Sequence, residues 1–232
     1  MSIMQAAQSA TTHTLEFVAS ATASSTGITA LSVTIPATAR AGDLAILCHG
    51  HTSVTTTLNT NTTLPTGFTL IAQSVSGSTT GVGIQSAYRI LTSADVPGTT
   101  TIAGTASLDV GAAGSAMILM IFRSPRLISS LTVSGTNSTQ ATTTAPTNQA
   151  ITGGSVTQTT GAMIQVAHWM STAAVTTRGN TLTSRVEVAG AVTRHYAQYL
   201  ITNTIGAAVV GGTISTTDVG TNGMQCFCYN VL

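Results

Sequence analysis

The sequence predicts an all-β protein, an antiparallel β-sandwich of jelly-roll-like form. Its apolar residues occur in short runs or alternate with threonine and serine, and no segment shows sustained helical spacing. Stretches rich in glycine, proline, aspartate and asparagine separate these runs at short intervals, which is typical of a sandwich. With 232 residues, the chain has room for one large sandwich or two small ones, each with a substantial core.

The clearest strand lies between Pro36 and His51. A turn at Ala41-Gly42-Asp43 precedes an unbroken apolar run, Leu44–Cys48, which predicts a strand buried on both faces. The stretch Gly161–His168 has the same form, with a glycine before the apolar strand and a histidine seven positions after that glycine. We therefore expect two equivalent central strands.

The other predicted strands follow in chain order. In the first half they cover residues 15–19, 31–35, 83–91, 99–107 and 115–123, and residues 64–71 form a turn that runs into a further strand. A crossover containing Pro125 is predicted at 124–127, and a strand at 224–232 closes the second half. Residues 1–14 are polar and lack periodicity, which predicts an N-terminal arm.

The two halves resemble each other, which predicts an internal duplication. Asp109-Val-Gly-Ala-Ala-Gly114 and Asp218-Val-Gly-Thr-Asn-Gly223 begin 109 positions apart, and an apolar strand follows each. Tyr88 and Tyr196 match at a separation of 108 positions. The predicted domains are the arm, a first repeat at 15–126 and a second repeat at 127–232. Half of a sandwich would leave an apolar face exposed, so we expect the repeats to pack as one unit.

The composition excludes several classes of protein. Charged residues make up only 6% of the chain, the formal net charge is +1, and lysine is absent, so a nucleic-acid partner is not expected. A membrane helix needs about 20 apolar residues, and the longest apolar run, 116–122, is far shorter. The first residues lack the features of a signal peptide. We therefore expect no membrane partner, and synthesis in a cytoplasm.

The lack of lysine also bears on association. All-β proteins usually guard their edge strands with lysine or other charges, because an unguarded edge pairs with other chains. Since this chain has few charges to place there, we expect its edges to be covered by association with other subunits.

Three histidines are the candidates for a metal site. His49 and His51 flank one glycine at a strand end, so their side chains point to one face, and His168 takes the place of His49 in the second repeat. Imidazoles are common metal ligands, but no carboxylate or cysteine recurs at ligand spacing. We predict no metal and no cofactor, and expect these histidines to face loops or a subunit interface.

Two aromatic residues are the candidates for ligand binding. Trp169 or Tyr199 could stack on a sugar ring, although packing in the core or at an interface is the competing interpretation. No G-x-S-x-G nucleophile motif is present. We therefore assign no catalytic residue and predict that the protein is not an enzyme.

The acids and cysteines have simpler interpretations. Four of the six acids fall in predicted turns, where their side chains are expected to bond nearby N–H groups: Asp43, Asp95, Asp109 and Asp218. The three cysteines, Cys48, Cys226 and Cys228, are an odd number, which argues against a disulfide framework. Buried, reduced thiols are expected.

Three motifs carry a family resemblance: P-x-x-x-x-A-G-D-L at Pro36–Leu44, P-x-G-F-T-L-I at Pro65–Ile71, and a tyrosine-bearing strand with an acidic turn at Tyr88–Asp95. Together they resemble a group of β-sandwich structural proteins common in tailed-bacteriophage virions and found in some bacterial surface proteins. The family more often has tryptophan where this chain has Phe68. The resemblance covers most of the chain and implies a jelly-roll-like sandwich in a virion.

The leading hypothesis from this resemblance is a non-enzymatic virion structural protein, a capsid decoration or cement protein on the head surface. It would be assembled in the bacterial cytoplasm as a homotrimer, which the resemblance implies, and bind the major capsid protein or other virion proteins. One alternative is a tail-fibre or receptor-binding module that binds host glycan. The other is a bacterial surface adhesin domain. Long fibrous repeats would favour the tail protein and a signal peptide the adhesin, and neither is seen.

Overall fold

The structure is a computed structural model, and it describes about three fifths of the chain. The described residues are 14–26, 31–53, 64–75, 81–95, 101–104, 112–133, 138–142, 149–152, 156–157, 162–171, 178–179, 184–189, 194–203, 208–209, 213–216 and 222–232. The predicted arm, apart from Thr14, and the predicted turns at Asp109 and Asp218 lie outside these ranges.

The described residues form strands, turns and extended segments without a helix, which confirms the all-β prediction. Accordingly, they contain no helix long and apolar enough to span a membrane. The strands are β1 (Glu16–Ser25), β2 (Leu31–Thr34), β3 (Leu44–Ser53), β4 (Thr69–Val75), β5 (Gly81–Ile90), β6 (Thr101–Gly104), β7 (Ala112–Arg123), β8 (Leu131–Val133), β9 (Ser138–Thr142), β10 (Gln149–Thr152), β11 (Val156–Thr157), β12 (Ala162–Ser171), β13 (Arg178–Gly179), β14 (Ser184–Ala189), β15 (Arg194–Thr202), β16 (Ala208–Val209), β17 (Thr213–Thr216) and β18 (Asn222–Val231).

Two large antiparallel sheets organise these strands. The first sheet has the order β1-β7-β3-β5-β4, and the second has the order β14-β15-β12-β18-β8, with β9 also paired to β18. Each large sheet is built from one half of the chain. The chain passes from the first sheet to the second between Arg123 and Leu131, where the crossover was predicted.

The two large sheets pack face to face around a shared core. β3 lies against β12, β5 against β18, and β7 against β15. Alternate residues of β3, Leu44, Ile46 and Cys48, join Ile164 and Val166 of β12 in this core. Burial of so many aliphatic side chains is the main stabilising term of the fold.

A further layer covers the outer face of the first sheet. β2 and β6 form a two-stranded sheet of their own. Val33 of β2 packs on Ala45 and Leu47, which alternate with the residues of β3 that face the second sheet. β3 is therefore buried on both faces, as its unbroken apolar run predicts.

The strand orders favour duplication without establishing it. Matching β3 with β12, β7 with β18, β5 with β15 and β4 with β14 converts one order into the other. One predicted equivalence is wrong: Tyr88 packs against the core between the sheets, whereas Tyr196 stacks on Trp169, whose register places it on the outer face of the second sheet. Jelly-roll connectivity and internal duplication stay predictions.

Two turns of the same type lead into strands of the first sheet. Gly42 has φ 89° and Gly67 has φ 82°. Both occupy the third position of a four-residue turn, where a left-handed backbone favours glycine. The turns are closed by hydrogen bonds from Asp43 N to Arg40 O and from Phe68 N to Pro65 O.

Asp43 caps its turn, as predicted, and also forms an ion pair with an arginine. Its Oδ2 accepts a hydrogen bond from Arg40 N at 2.8 Å. Arg123 at the end of β7 donates from Nε to Oδ1 at 2.9 Å and from Nη2 to Oδ2 at 2.8 Å. Asp95 repeats the arrangement, with Thr92 N at 2.8 Å and Arg89 Nη2 at 2.8 Å from its Oδ2.

We expect Asp43→Ala to lower the free energy of unfolding by about 2–3 kcal/mol. The substitution removes the cap and leaves the half-buried Arg123 guanidinium without its carboxylate partner. Urea unfolding at neutral pH measures the loss. Asp43→Asn is the matched variant, because it keeps an acceptor for Arg40 N while losing the charge, and it should lose less. A midpoint for Asp43→Ala equal to that of the wild type would contradict this role.

Candidate functional site

The candidate histidines are buried, and β3 places two of them on its outer face. His49 is 4% exposed and His51 is 1% exposed, so neither side chain lies on an open surface, and the expectation that they face loops or a subunit interface stays a prediction. Both side chains are buried because β3 continues to Ser53 with neighbouring strands on both sides. The end of the apolar run is therefore the middle of the strand.

His49 is held neutral in this environment. Its Nε2 lies 3.0 Å from Oγ of Ser115 on the neighbouring strand β7, within hydrogen-bond distance. The centroids of the His49 and His51 rings are 6.1 Å apart. Burial first, and then the proximity of His51 and His168, lower the pKa of His49 to about 3. His49 therefore carries no charge at neutral pH.

A second pair of histidines lies between the two large sheets. Nε2 of His168 on β12 lies 2.6 Å from Oγ of Ser86 on β5, so this hydrogen bond joins the second sheet to the first. Nδ1 of His168 lies 3.0 Å from Nε2 of His195 on β15. His168 and His195 have no exposed surface. We call Ser86, His168 and His195 the inter-sheet chain.

The surroundings of His195 indicate how protons are distributed along this chain. Burial first, and then His168 and His49, lower the pKa of His195 well below its usual value, while the backbone of Ala116 favours the protonated ring. Within the described residues, Nδ1 of His195 makes no hydrogen bond of ordinary geometry. A proton on Nδ1 would leave Nε2 to accept from His168, whose own Nε2 would then accept from the Ser86 hydroxyl.

This order of donors resembles that of a serine activated by a histidine base. Ser86, however, has no exposed surface and lies between two packed sheets. Three clefts lined by described residues, of 610, 450 and 380 Å³, all adjoin Arg123, and no residue of the inter-sheet chain lines them. A substrate would reach the Ser86 hydroxyl only if the sheets separated, so the chemistry that this geometry supports is hydrogen bonding within the core.

The three predicted metal candidates are not brought together. His49 alternates with Cys48 on β3 and faces the outer layer, whereas His168 faces the core between the sheets, so His168 does not take the place of His49. Among the residues that the structure describes, no group of three or more histidine, cysteine, aspartate or glutamate side chains could hold a metal ion.

Sequence reasoning missed His195 as the partner of His168. The two residues are 27 positions apart, and only the pairing of β12 with β15 makes them neighbours. The sequence held one indication of this position. His195 is separated from Ala197 and Ile201 by even numbers of residues on β15, so the three side chains share one face of the strand. This spacing predicts that the imidazole faces the core.

The candidate aromatic residues pack on protein rings. Trp169 has no exposed surface, and its ring stacks on Tyr196 at a centroid distance of 4.9 Å, so it offers no face to a sugar. Tyr199 is half-buried and stacks on Phe17 of the first sheet at 4.9 Å. Core and interface packing, the competing interpretation, accounts for both rings.

Cys48 has the environment predicted for a reduced thiol. It is a free, buried cysteine, and burial raises the pKa of its thiol. This environment disfavours the reactive thiolate. The side chains of Cys226 and Cys228 lie outside the described part of the structure.

The fold and the site define a two-sheet β protein in which three described histidines, His49, His168 and His195, are hydrogen-bonded to buried partners. Comparisons with protein-family models, with curated proteins and with solved structures each found no match to this chain.

Proposed function

We propose that this chain is a structural protein of a tailed-phage virion, which decorates the capsid surface and acts by association with other subunits. The observation that carries the proposal is the edge strand β4. It is hydrogen-bonded to β5 on one side and, among the strands that the structure describes, stands at the end of its sheet. Its sequence, Thr69-Leu-Ile-Ala-Gln-Ser-Val75, has no charged residue, and Leu70 is 41% exposed. An edge of this composition is suited to pairing with another chain.

The sequence resemblance supports the virion setting. Its two proline-containing motifs form the turns at Gly42 and Gly67, which position β3 and β4. The second of these motifs, Pro65–Ile71, therefore positions the uncharged edge strand β4. In a decoration protein, a rigid sandwich would present this edge to a neighbouring subunit, and a closed assembly would leave no edge exposed.

Burial of the polar groups in the core supports a role without catalysis. Ser86 and the described histidines are enclosed by packed strands. Asp43 and Asp95 are each paired with an arginine. These groups stabilise a fixed framework, which is what a cement protein requires.

We expect the protein to form an oligomer whose mass is a multiple of 23.4 kDa and changes little with salt, because β4 provides main-chain and apolar contacts. Leu70→Lys should shift the distribution towards the monomer, because a lysine on an edge strand opposes pairing. Light scattering at low micromolar protein measures both effects. Leu127→Lys is the matched control, since Leu127 is 78% exposed and follows β7, which β3 and β5 separate from β4 in the sheet. If the wild type is a monomer at both low and high salt, the edge strand β4 no longer supports the proposed association.

The virion location is tested separately by electron microscopy. Antibodies raised against the purified chain should label the heads of phage particles from a lysate that expresses it. Labelling confined to tails would replace the decoration role by the tail-fibre alternative. Intact particles without label, in a lysate where the free protein is detected, would overturn the virion assignment.

A further inference from the structure

The contact between the two large sheets, which we call the seam, includes a hydrogen bond to a histidine. The inter-sheet chain joins Ser86 of β5 to His168 of β12 at 2.6 Å, and His168 to His195 of β15 at 3.0 Å. Ser86 belongs to the first sheet and both histidines belong to the second. None of the three has exposed surface. A change in the protonation of these rings therefore acts directly on the seam.

The geometry of the inter-sheet chain limits how many protons the closed seam can hold. With both rings neutral, each of the two contacts contains one hydrogen. One added proton is accommodated, because the Ser86 hydroxyl can accept as well as donate. A second added proton would direct an N–H group of each ring at the other across the 3.0 Å between Nδ1 of His168 and Nε2 of His195. The closed seam therefore holds fewer than the two added protons that solvated rings bind in acid.

Among the described residues, no acidic side chain faces the seam to balance a charged ring. The strands packed around the inter-sheet chain are β3, β5 and β7 of the first sheet and β12, β14, β15 and β18 of the second. Besides apolar residues, the cluster between them contains side chains that stay uncharged in acid: Cys48, Tyr88, Tyr199 and Tyr229. The charged residues of these strands occupy the alternate positions, in phase with the outer faces: Arg89, Arg123, Arg185, Glu187 and Arg194. His49, on the outer face of β3, is close enough to disfavour a charge on His195.

Each large sheet keeps most of its own contacts when the seam opens. The main-chain hydrogen bonds of each sheet join strands from the same half of the chain. On its outer face the first sheet has a separate apolar cluster, in which Val33 packs on Ala45 and Leu47. Trp169 stacks on Tyr196 on the outer face of the second sheet. Partial opening of a protein commonly follows contiguous units of this kind.

We propose that the inter-sheet chain is an acid-sensitive switch, in which protonation of His168 and His195 opens the seam before either sheet loses its strands. The switch is a property of the single chain and does not depend on the proposed role in a virion. Opening admits water to the inner face of β3, where Cys48 is opposite Ser86 in the strand register.

Cys48 provides the reporter that tests the switch. It is a free cysteine without exposed surface, and Cys226→Ser/Cys228→Ser leaves it as the only thiol of the chain. A dipyridyl disulfide modifies accessible thiols, so its rate with the folded protein, divided by its rate with the urea-unfolded protein at the same pH, gives the open fraction. From about pH 6.5 to about pH 5.5 this fraction should rise about fivefold if opening takes up one proton, and about thirtyfold if it takes up two.

Two variants in this background separate the rings of the seam from other histidines. His168→Gln/His195→Gln should abolish the rise, because neither amide takes up a proton, and its open fraction should stay constant between the two pH values. His51→Gln is the matched control, since it removes a buried imidazole from the outer face of β3 and leaves the seam unchanged. It should keep the rise of the parent protein. A rise that persists in the double variant would overturn the switch.

Urea distinguishes opening of the seam from global unfolding. Below the unfolding transition, the open fraction at about pH 5.5 should change little with urea, because separation of intact sheets exposes less surface than unfolding does. The emission of Trp169, the one tryptophan of the chain, should stay that of the folded protein under the same conditions. An open fraction that does not change from about pH 6.5 to about pH 5.5, or one that follows global unfolding in its urea dependence, would show that the seam is not an acid-sensitive switch.

Discussion

The protein should lose stability steeply as the pH falls below 6.5, the ordinary pKa of histidine. Burial holds the pKa of His49 at about 3 and that of His195 well below 6.5, so both rings are neutral in the folded protein. The unfolded chain binds a proton on each ring near pH 6.5, and acid therefore favours unfolding. The contribution of these two neutral rings to the free energy of unfolding is complete above pH 6.5. It is lost as the pH falls towards the pKa values that the rings have in the folded protein.

The expected size of this effect is large. Each histidine whose folded pKa is depressed contributes a loss of about 1.4 kcal/mol per pH unit below its unfolded pKa. Two such residues give about 3 kcal/mol per unit, against a typical total stability of about 5–15 kcal/mol. The named neighbours that shift both pKa values are other histidines and the backbone of Ala116, with no described carboxylate to stabilise a charged ring.

Urea unfolding between about pH 7 and about pH 5 measures this slope. His195→Gln should reduce this slope by the contribution of about one proton, because a neutral amide replaces a group that binds a proton on unfolding. Ser115→Ala is the matched variant, since it removes the hydroxyl next to His49 but keeps both histidines, and its slope should stay near that of the wild type. A flat profile for the wild type would show that these rings are protonated, or already accessible to water, in the folded state.

The sequence contains enough information for the fold class, the central strands and the turns. Short apolar runs between turn residues depend on local chemistry alone, and β3 and the turns at Gly42 and Asp95 follow from them. The all-β prediction rests on the same property and is confirmed. The pairing of distant strands is not local, so the order of each sheet could not be read from the chain.

The histidines show why the site was harder to predict than the fold. A shift of one residue moves a side chain to the other face of a sheet. The similarity of 42–49 to 161–168 therefore suggested an equivalence of His49 and His168 that the faces of their strands contradict. The inter-sheet chain also needs Ser86 and His195, and only the packing of the two sheets brings these residues to His168.

Replacing Gly83 by alanine should be among the most damaging single substitutions in the first sheet. Gly83 on β5 is opposite His51 on β3 in the strand register. A Cβ at Gly83 would overlap Cε1 of the His51 ring and lie 2.5 Å from its Nε2. His51 is only 1% exposed, so its ring is enclosed by protein and does not border the solvent. Overpacking of this kind costs about 1–3 kcal/mol, and we expect Gly83→Ala at or above the upper end.

A double-mutant cycle tests whether the collision with His51 is the cause. His51→Ala should be destabilising by itself, because it empties a buried site, but Gly83→Ala should cost much less in its presence. Gly42→Ala is the comparison for backbone effects, since Gly42 has φ 89° and no atom within 4 Å of its added Cβ, so its cost of about 1–2 kcal/mol comes from the left-handed backbone alone. Urea unfolding of the variants gives the coupling energy. If Gly83→Ala destabilises equally with and without the His51 ring, the two side chains do not compete for this space and the proposed packing of His51 against β5 is wrong.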